Sequence, residues 1–284
     1  MTVAELLKKG KELLKEQKIE NYQNEARWIF EAVFGCGSEY AIFHAAGEAD
    51  AEKSDEFIDK IAKRASGYPV QYVIGSWDFY GESFKVGEGV LIPRPETELL
   101  VDFALDYLKK KSNPVVFDLC AGSGCIGLTV AKQRPDSKVY LFEKSSDALE
   151  YLIANKKQLG CGNAEVIHGD IFGGFKSFDV PKPDLILSNP PYIETDEVPT
   201  LQSEVLLEPR MALDGGADGL DFYRAIAEKW LKGCGCAAAV ECGEGQAKLI
   251  KALFSDVCAS TDVIADFNGI ERVVTGTERN KNDF

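Results

Sequence analysis

The chain has 284 residues, 45% hydrophobic and 27% charged, the balance of a soluble globular protein with room for one large domain or two smaller ones. A net charge of −14, with Lys/Arg runs as short as Lys109-Lys110-Lys111, argues against a nucleic-acid substrate, because such binding scales with the phosphates neutralised. No apolar run approaches the roughly 20 residues of a membrane span, the charged N-terminus lacks the apolar stretch of a signal peptide, and the eight cysteines are too sparse for a disulfide scaffold.

Free thiols in a reducing cytoplasm are therefore expected. Cys234, Cys236 and Cys242 match no zinc spacing and flank an apolar Ala237-Ala238-Ala239-Val240 run, so no metal is expected.

Residues 1–70 read as a small helical domain. Val3, Leu6, Leu7, Leu13 and Leu14 fall at helical spacing among lysines and glutamates. A second helix is predicted over residues 21–34, stopped by Gly35, a third over 39–45, and a fourth from Asp50 with Phe57, Ile58, Ile61 and Ala65 on its apolar face. The first 67 residues hold 10 basic and 13 acidic side chains, so this domain is not a basic nucleic-acid arm.

Residues 71–95 read as a β-hairpin linker. Tyr72-Val73-Ile74, Trp77 to Tyr80, Phe84 to Val86 and Val90-Leu91-Ile92 are β-prone pieces separated by glycines, enough for one or two hairpins. Pro93-Arg94-Pro95-Glu96-Thr97-Glu98 then precedes the apolar-periodic run from Leu99 to Leu108. Its local reading is a helix start, with proline and acids at the favoured end; Arg94 and the acids, Glu96 and Glu98, facing a pocket are the functional alternative.

From Pro114 onward strand and helix alternate, the signature of a parallel doubly wound sheet over residues 96–284. Strands are predicted at 115–119, 138–142, 164–167, 184–187 and 237–241. Helices are predicted at 126–133, at 146–159 with Ser145 or Ser146 as cap, at 220–231 and at 246–254. The last two strands, 257–264 and 271–275, are joined through Asn268-Gly269 and so run antiparallel. The polar tail, 277–284, is expected to fray.

Two loops carry chemistry. Asp118-Leu119-Cys120-Ala121-Gly122-Ser123-Gly124-Cys125-Ile126-Gly127 joins the first strand of the sheet to the following helix. Its Gly-x-Gly-x-x-Gly pattern lets the backbone turn tightly and a ligand approach closely. Glu143 ends the next strand, 21 residues after Gly122, where a carboxylate can accept both hydroxyls of an adenosine ribose. These features suit a dinucleotide as well as S-adenosylmethionine. Asp170, with Ile171 or Phe172, follows the third strand, where the acid can hold an adenine amino group and the apolar side chain can cover the ring.

The second loop is Leu187-Ser188-Asn189-Pro190-Pro191-Tyr192. The prolines stop the strand and hold Asn189 extended at a strand's carboxyl end, where open α/β sheets place their ligands. An amide oxygen, a prolyl carbonyl and an aromatic ring can together grip a planar NH2 group: two acceptors for its two hydrogens, and a ring for its face. Hydride transfer has no evident need for such a loop, whereas methyl transfer to an amino group does.

These residues resemble the amino-group methyltransferases. The fuller set is similar to the protein-glutamine methyltransferases of peptide chain release factors, the PrmC/HemK family. It comprises Ile92-Pro93-Arg94-Pro95-Glu96-Thr97-Glu98, Asp118 to Ile126, Glu143, Ser188 to Tyr192, Glu208-Pro209 and Gly269-Ile270-Glu271-Arg272. The resemblance covers nearly the whole chain, its N-terminal part by architecture more than by motif. It implies a Rossmann-like, seven-stranded S-adenosylmethionine-dependent domain behind a helical substrate-recognition domain. It also implies transfer of a methyl group to N5 of the glutamine in a release factor's Gly-Gly-Gln loop.

The site residues it implies are Asn189, Pro190 and Tyr192 for catalysis, with Pro191 and Arg94 for the substrate. For the cofactor they are Asp118, Cys120, Ala121, Gly122, Ser123, Gly124, Glu143, Asp170, Ile171 and Asn189. The chain departs from the family at Cys120 and Ala121, where many members have Gly and Thr, at Glu143, where Asp is commoner, and at Ile171, where some have Trp. A monomeric, cytoplasmic enzyme acting on release factors, without nucleic acid or membrane, is the expectation. The rival acceptors are another protein's glutamine and an adenine or cytosine base, the latter needing a base-flipping groove and a basic face. The remaining rivals are an NAD-linked oxidoreductase and a binding module without activity.

Overall fold

A computed structural model describes residues 1–278; the part of the polar tail from 279 to 284 lies outside the described residues. The chain divides into two compact units, Met1–Trp77 with Gln202–Leu207, and Asp78–Leu201 with Glu208–Phe284.

The first unit is helical. Helix α1 (Val3–Glu16) opens on a capping box: the Thr2 side chain accepts the Glu5 N–H, and the Glu5 carboxylate accepts the Thr2 N–H. Helix α2 spans Tyr22–Phe34, a short α3 spans Tyr40–Phe43, and α4 (Ala51–Ala65) is capped by Asp50 accepting the Lys53 N–H. Their apolar stripes meet in one core built on Leu6, Leu14, Ile29, Phe30, Phe57 and Ile61. The buried Arg64 guanidinium donates to Glu25 at 2.5 Å and to Glu204 of the Gln202–Leu207 segment at 2.8 Å. The β-prone piece Tyr72-Val73-Ile74 is not strand. It lies in a single helical turn, α5 (Val70–Ile74), entered through Pro69 and left through Gly75. Val70 and Val73 join the helical core, so packing overrides the β preference of their side chains.

The linker holds one hairpin, β1 (Ser76–Phe79) and β2 (Glu82–Lys85). Its two-residue loop puts Tyr80 (φ 52°) and Gly81 (φ 75°) in left-handed conformations, matching the twist of the flanking strands. Val90 to Ile92 form no strand: the Ile92 N–H goes to the Glu208 carboxylate instead of a ladder. After Pro95, helix α6 runs Glu98–Leu108.

The second unit is a doubly wound sheet. Strands β3 (Val115–Leu119), β4 (Lys138–Glu143), β5 (Ala164–His168), β6 (Leu185–Ser188), β7 (Ala237–Glu241), β8 (Thr261–Ala265) and β9 (Glu271–Gly276) lie in the order β5-β4-β3-β6-β7-β9-β8. The first five are parallel; β9 runs antiparallel to both β7 and β8. Between them lie α7 (Cys125–Gln133), α8 (Ser146–Leu159), capped by Ser145, and α11 (Ala247–Ser255). The helix expected over 220–231 starts as α9 (Asp221–Ala225), widens to a π-helix over Ile226–Leu231 and ends as α10 (Lys232–Cys234). Ile226, Ala227, Trp230 and Leu231 on this stretch are buried.

Period-two alternation divides the strands between two cores. Val139, Leu141, Leu185, Leu187, Ala237 and Ala239 face the side covered by α6, α7 and α8. Tyr140, Phe142, Ile186, Ala238 and Val240 face the other, around Trp230. Strand order reverses between β3 and β6, so a crevice opens at their carboxyl ends. Both loops singled out in the sequence begin there. No helix among the described residues is long and apolar enough to cross a membrane.

Candidate functional site

The β3–α7 loop is tied down by backbone hydrogen bonds from both sides. Ala121 N–H donates to the Phe142 carbonyl (3.0 Å), and Gly124 N–H donates to that of Ala121 (2.8 Å). Gly124 begins α7 at φ 82°, and a Cβ there would stand 2.3 Å from Leu152 Cδ1. Both geometry and space therefore call for glycine. Cys120 also sits in the left-handed region, at φ 60°. That conformation is strained for cysteine, as for any residue with a Cβ.

Asp118 lies beneath the loop, fully buried. Its Oδ2 accepts the Gly127 N–H at 2.8 Å, and Oδ1 has no hydrogen-bond partner. Burial pushes its carboxyl up to about 7, against the pull of the Gly127 hydrogen bond, with Glu143 adding to the rise.

Glu143 closes β4 with its carboxylate fixed by three amides. Oε2 accepts Gly122 N–H at 2.7 Å, while Oε1 accepts Lys144 N–H (2.8 Å) and Ser145 N–H (2.7 Å). Asp170 caps the next loop by accepting Phe172 N–H at 2.9 Å and pairs with the Lys144 ammonium at 2.9 Å. Ile171 is buried, and its carbonyl is held by the Trp230 indole N–H at 2.8 Å. Phe172 is the more exposed and packs edge-on against Phe222, ring centroids 5.0 Å apart.

At the end of β6, Asn189 is half-buried. Its Nδ2 donates to Thr97 Oγ1 at 3.2 Å, and the Thr97 hydroxyl donates to Glu241 Oε2 at 2.6 Å. Arg94 donates to Glu208, a buried carboxylate whose other oxygen takes the Ile92 N–H at 2.9 Å.

These elements enclose a cavity of about 330 Å³. The loop residues Cys120, Ala121, Gly122 and Ser123 line it beside Glu143, Asp170 and Ile171, and so do Asn189, Pro191 and Arg94. Four residues expected at the site do not line it. Asp118 supports the loop from below, Gly124 begins the helix, Pro190 is buried, and the Tyr192 ring packs beside Gly243. The Tyr192 carbonyl accepts the Gln246 amide at 2.8 Å, and burial, with Glu241 nearby, pushes its phenol up to about 12. Thr97, Glu208 and Glu241 were not singled out by sequence as site residues. Glu208 and Thr97 fell within noted motifs, and Glu241 ends an apolar strand, the position that should have marked it. Among the described residues no group of three or more His, Cys, Asp or Glu is placed to hold a metal ion.

Known proteins match along the chain. A model of the PrmC N-terminal domain matches residues 5–75, and one of the methyltransferase small domain matches 97–217. A release factor glutamine methyltransferase of Thermodesulfovibrio yellowstonii is 41% identical over 80% of this chain and 82% of its own. That of Clostridium acetobutylicum is 34% identical over 96% of this chain and 98% of its own. Among solved structures, the hMettl16 catalytic domain in complex with the MAT2A 3′UTR hairpin 6 shares the fold. Its TM-score is 0.56 at 12% identity, covering 82% of this chain and 84% of that one. Identity and coverage of this extent make the chain a member of the release factor glutamine methyltransferase family.

Proposed function

We infer that the chain transfers a methyl group from S-adenosylmethionine to the side-chain amide nitrogen, N5, of the glutamine in a release factor's Gly-Gly-Gln loop. The observation that carries this reading is that Asn189 and the Glu143-anchored glycine loop line one cavity, in a chain of this family. The helical unit serves as the substrate-recognition domain, and the enzyme works as a monomer in the cytoplasm without a nucleic-acid partner.

The residues fit the cofactor. Glu143 offers the ribose hydroxyls a carboxylate already oriented by three amides. Ile171 offers the adenine an apolar surface fixed through Trp230. The Asp118 carboxyl, with one oxygen unpartnered, holds the start of α7 through Gly127 N–H and would brace the glycine loop against the cofactor. When bound, S-adenosylmethionine supplies an electrophilic methyl on a sulfonium that departs as a neutral thioether.

The remaining work is positioning. A carboxamide nitrogen is a poor nucleophile because its lone pair is delocalised into its carbonyl. Asn189 Oδ1, on the cavity lining, accepts an N–H of that amide, aims the nitrogen and favours the positive charge that grows on it as the new N–C bond forms. The methylated nitrogen is acidic and sheds its extra proton afterwards, so no strong base is required before transfer. Arg94, held by Glu208, presents a cation to carbonyl groups of the substrate loop.

Removing one such aligned partner costs on the order of 100-fold in turnover. Asn189→Ala is expected to lose that much kcat while keeping cofactor affinity by calorimetry. Glu143→Ala is expected to weaken cofactor binding first. Near wild-type turnover in the former, or unchanged affinity in the latter, would contradict these assignments.

A further inference from the structure

The two ends of an asparagine amide have the same shape and opposite hydrogen-bond roles. Turned one way, Asn189 offers the cavity an acceptor; turned the other, it offers donors that oppose the substrate's own N–H groups. Something must choose, and the choice is written in a chain of three residues.

Glu241 ends β7 and is 3% exposed. An ionised carboxylate only accepts hydrogen bonds, so the Thr97 hydroxyl spends its single proton on it, Oγ1 to Oε2 at 2.6 Å. Thr97 Oγ1 is left with lone pairs alone. The group it meets at 3.2 Å must then be the NH2 end of Asn189, which leaves Oδ1 for the cavity. Thr97 is 1% exposed, so water does not compete for the link. We infer that Thr97 and Glu241 are positioning residues that set the polarity of the Asn189 amide for catalysis. The inference rests on the proposed role of Asn189 as acceptor for the substrate's N–H.

The same chain responds to protons. A protonated Glu241 can donate to Thr97, which frees the threonine proton to point at Asn189. The amide then turns its oxygen toward Thr97 and its NH2 into the cavity. The groups near Glu241 are Arg94 and Glu96 ahead of α6, Arg272 on β9, Tyr192 after β6, Tyr223 on α9, whose hydroxyl donates to the Glu241 backbone carbonyl at 2.8 Å, and the Cys125 and Cys242 thiols. Burial pushes the Glu241 carboxyl up to about 7, helped by Glu96 and opposed by Thr97, Arg272 and Arg94. Turnover therefore gains as pH rises through about 7, when Glu241 ionises.

The test measures kcat for methyl transfer to a release factor against pH, with cofactor affinity by calorimetry, in Thr97→Val, Thr97→Ser and Glu241→Gln. Thr97→Val keeps the shape and loses the link. Its kcat is expected to fall roughly ten-fold with cofactor Kd unchanged, the size of one lost hydrogen bond. Thr97→Ser restores turnover, and the limb near pH 7 disappears in Glu241→Gln. Wild-type kcat in Thr97→Val, or a serine variant as impaired as the valine one, overturns the inference. So does a limb that persists in Glu241→Gln, a result that decides alone should Thr97→Val fail to fold. A wild-type enzyme that transfers no methyl group to the factor overturns the proposed function itself. Wild-type transfer with any of the contrary results confines the failure to this relay.

Discussion

Asp118 and Glu241 are carboxyls in places where water cannot reach them. Both are pushed up to about 7, chiefly by burial. In the unfolded chain they titrate near about 4. Between those values the native state holds protons that the unfolded state has shed. Each group's stabilising contribution is thus full below about pH 4 and is lost as pH rises toward 7, by at most about 1.4 kcal/mol per pH unit. Asp118→Asn keeps an acceptor for Gly127 N–H and removes the titration. Its unfolding free energy is expected to decline less between about pH 5 and about pH 8 than that of the wild type. Denaturant melts at the two pH values check this; an equal decline would show that Asp118 ionises normally. Single side-chain contacts are also what the sequence reveals least. Asn189, Glu143 and the glycine loop were legible because each ends a strand beside a turn signal. The Thr97 and Glu241 links span 92 and 144 residues, and no local pattern reports a contact of that separation.

Among elements, the strand–loop–helix unit β3–α7 decides whether the cofactor site exists. Gly127 lies on the first turns of α7, where a Cβ would come within 2.8 Å of Asp118 Oδ2 and 2.9 Å of Leu141 Cδ2. Helix and strand can approach this closely only without a side chain. Gly127→Ala is expected to cost about 1–3 kcal/mol of stability through overpacking, and to weaken cofactor binding by displacing the loop. Thermal unfolding and calorimetry read the two effects; wild-type values in both would refute the close-packing account. The parallel strands were readable as apolar runs because helices cover both faces of the sheet. Tyr72 to Ile74 misled because three β-prone residues fit one buried turn of helix as well as a strand. Val90 to Ile92 misled because the Ile92 N–H goes to a distant carboxylate instead of a neighbouring strand.

For the whole molecule, a net charge of −14 and the absence of long basic runs leave little with which to hold a phosphate backbone. The hMettl16 fold neighbour, solved with an RNA hairpin, shares the sheet at 12% identity, which speaks to architecture alone. Family membership and the Asn189 wall of the cavity point to a protein glutamine. The most direct test is transfer of labelled methyl from S-adenosylmethionine to a purified, unmodified release factor, beside a copy whose loop glutamine is changed to alanine. The account predicts label on the first and none on the second. Label on both, or on neither while S-adenosylmethionine still binds, would contradict it.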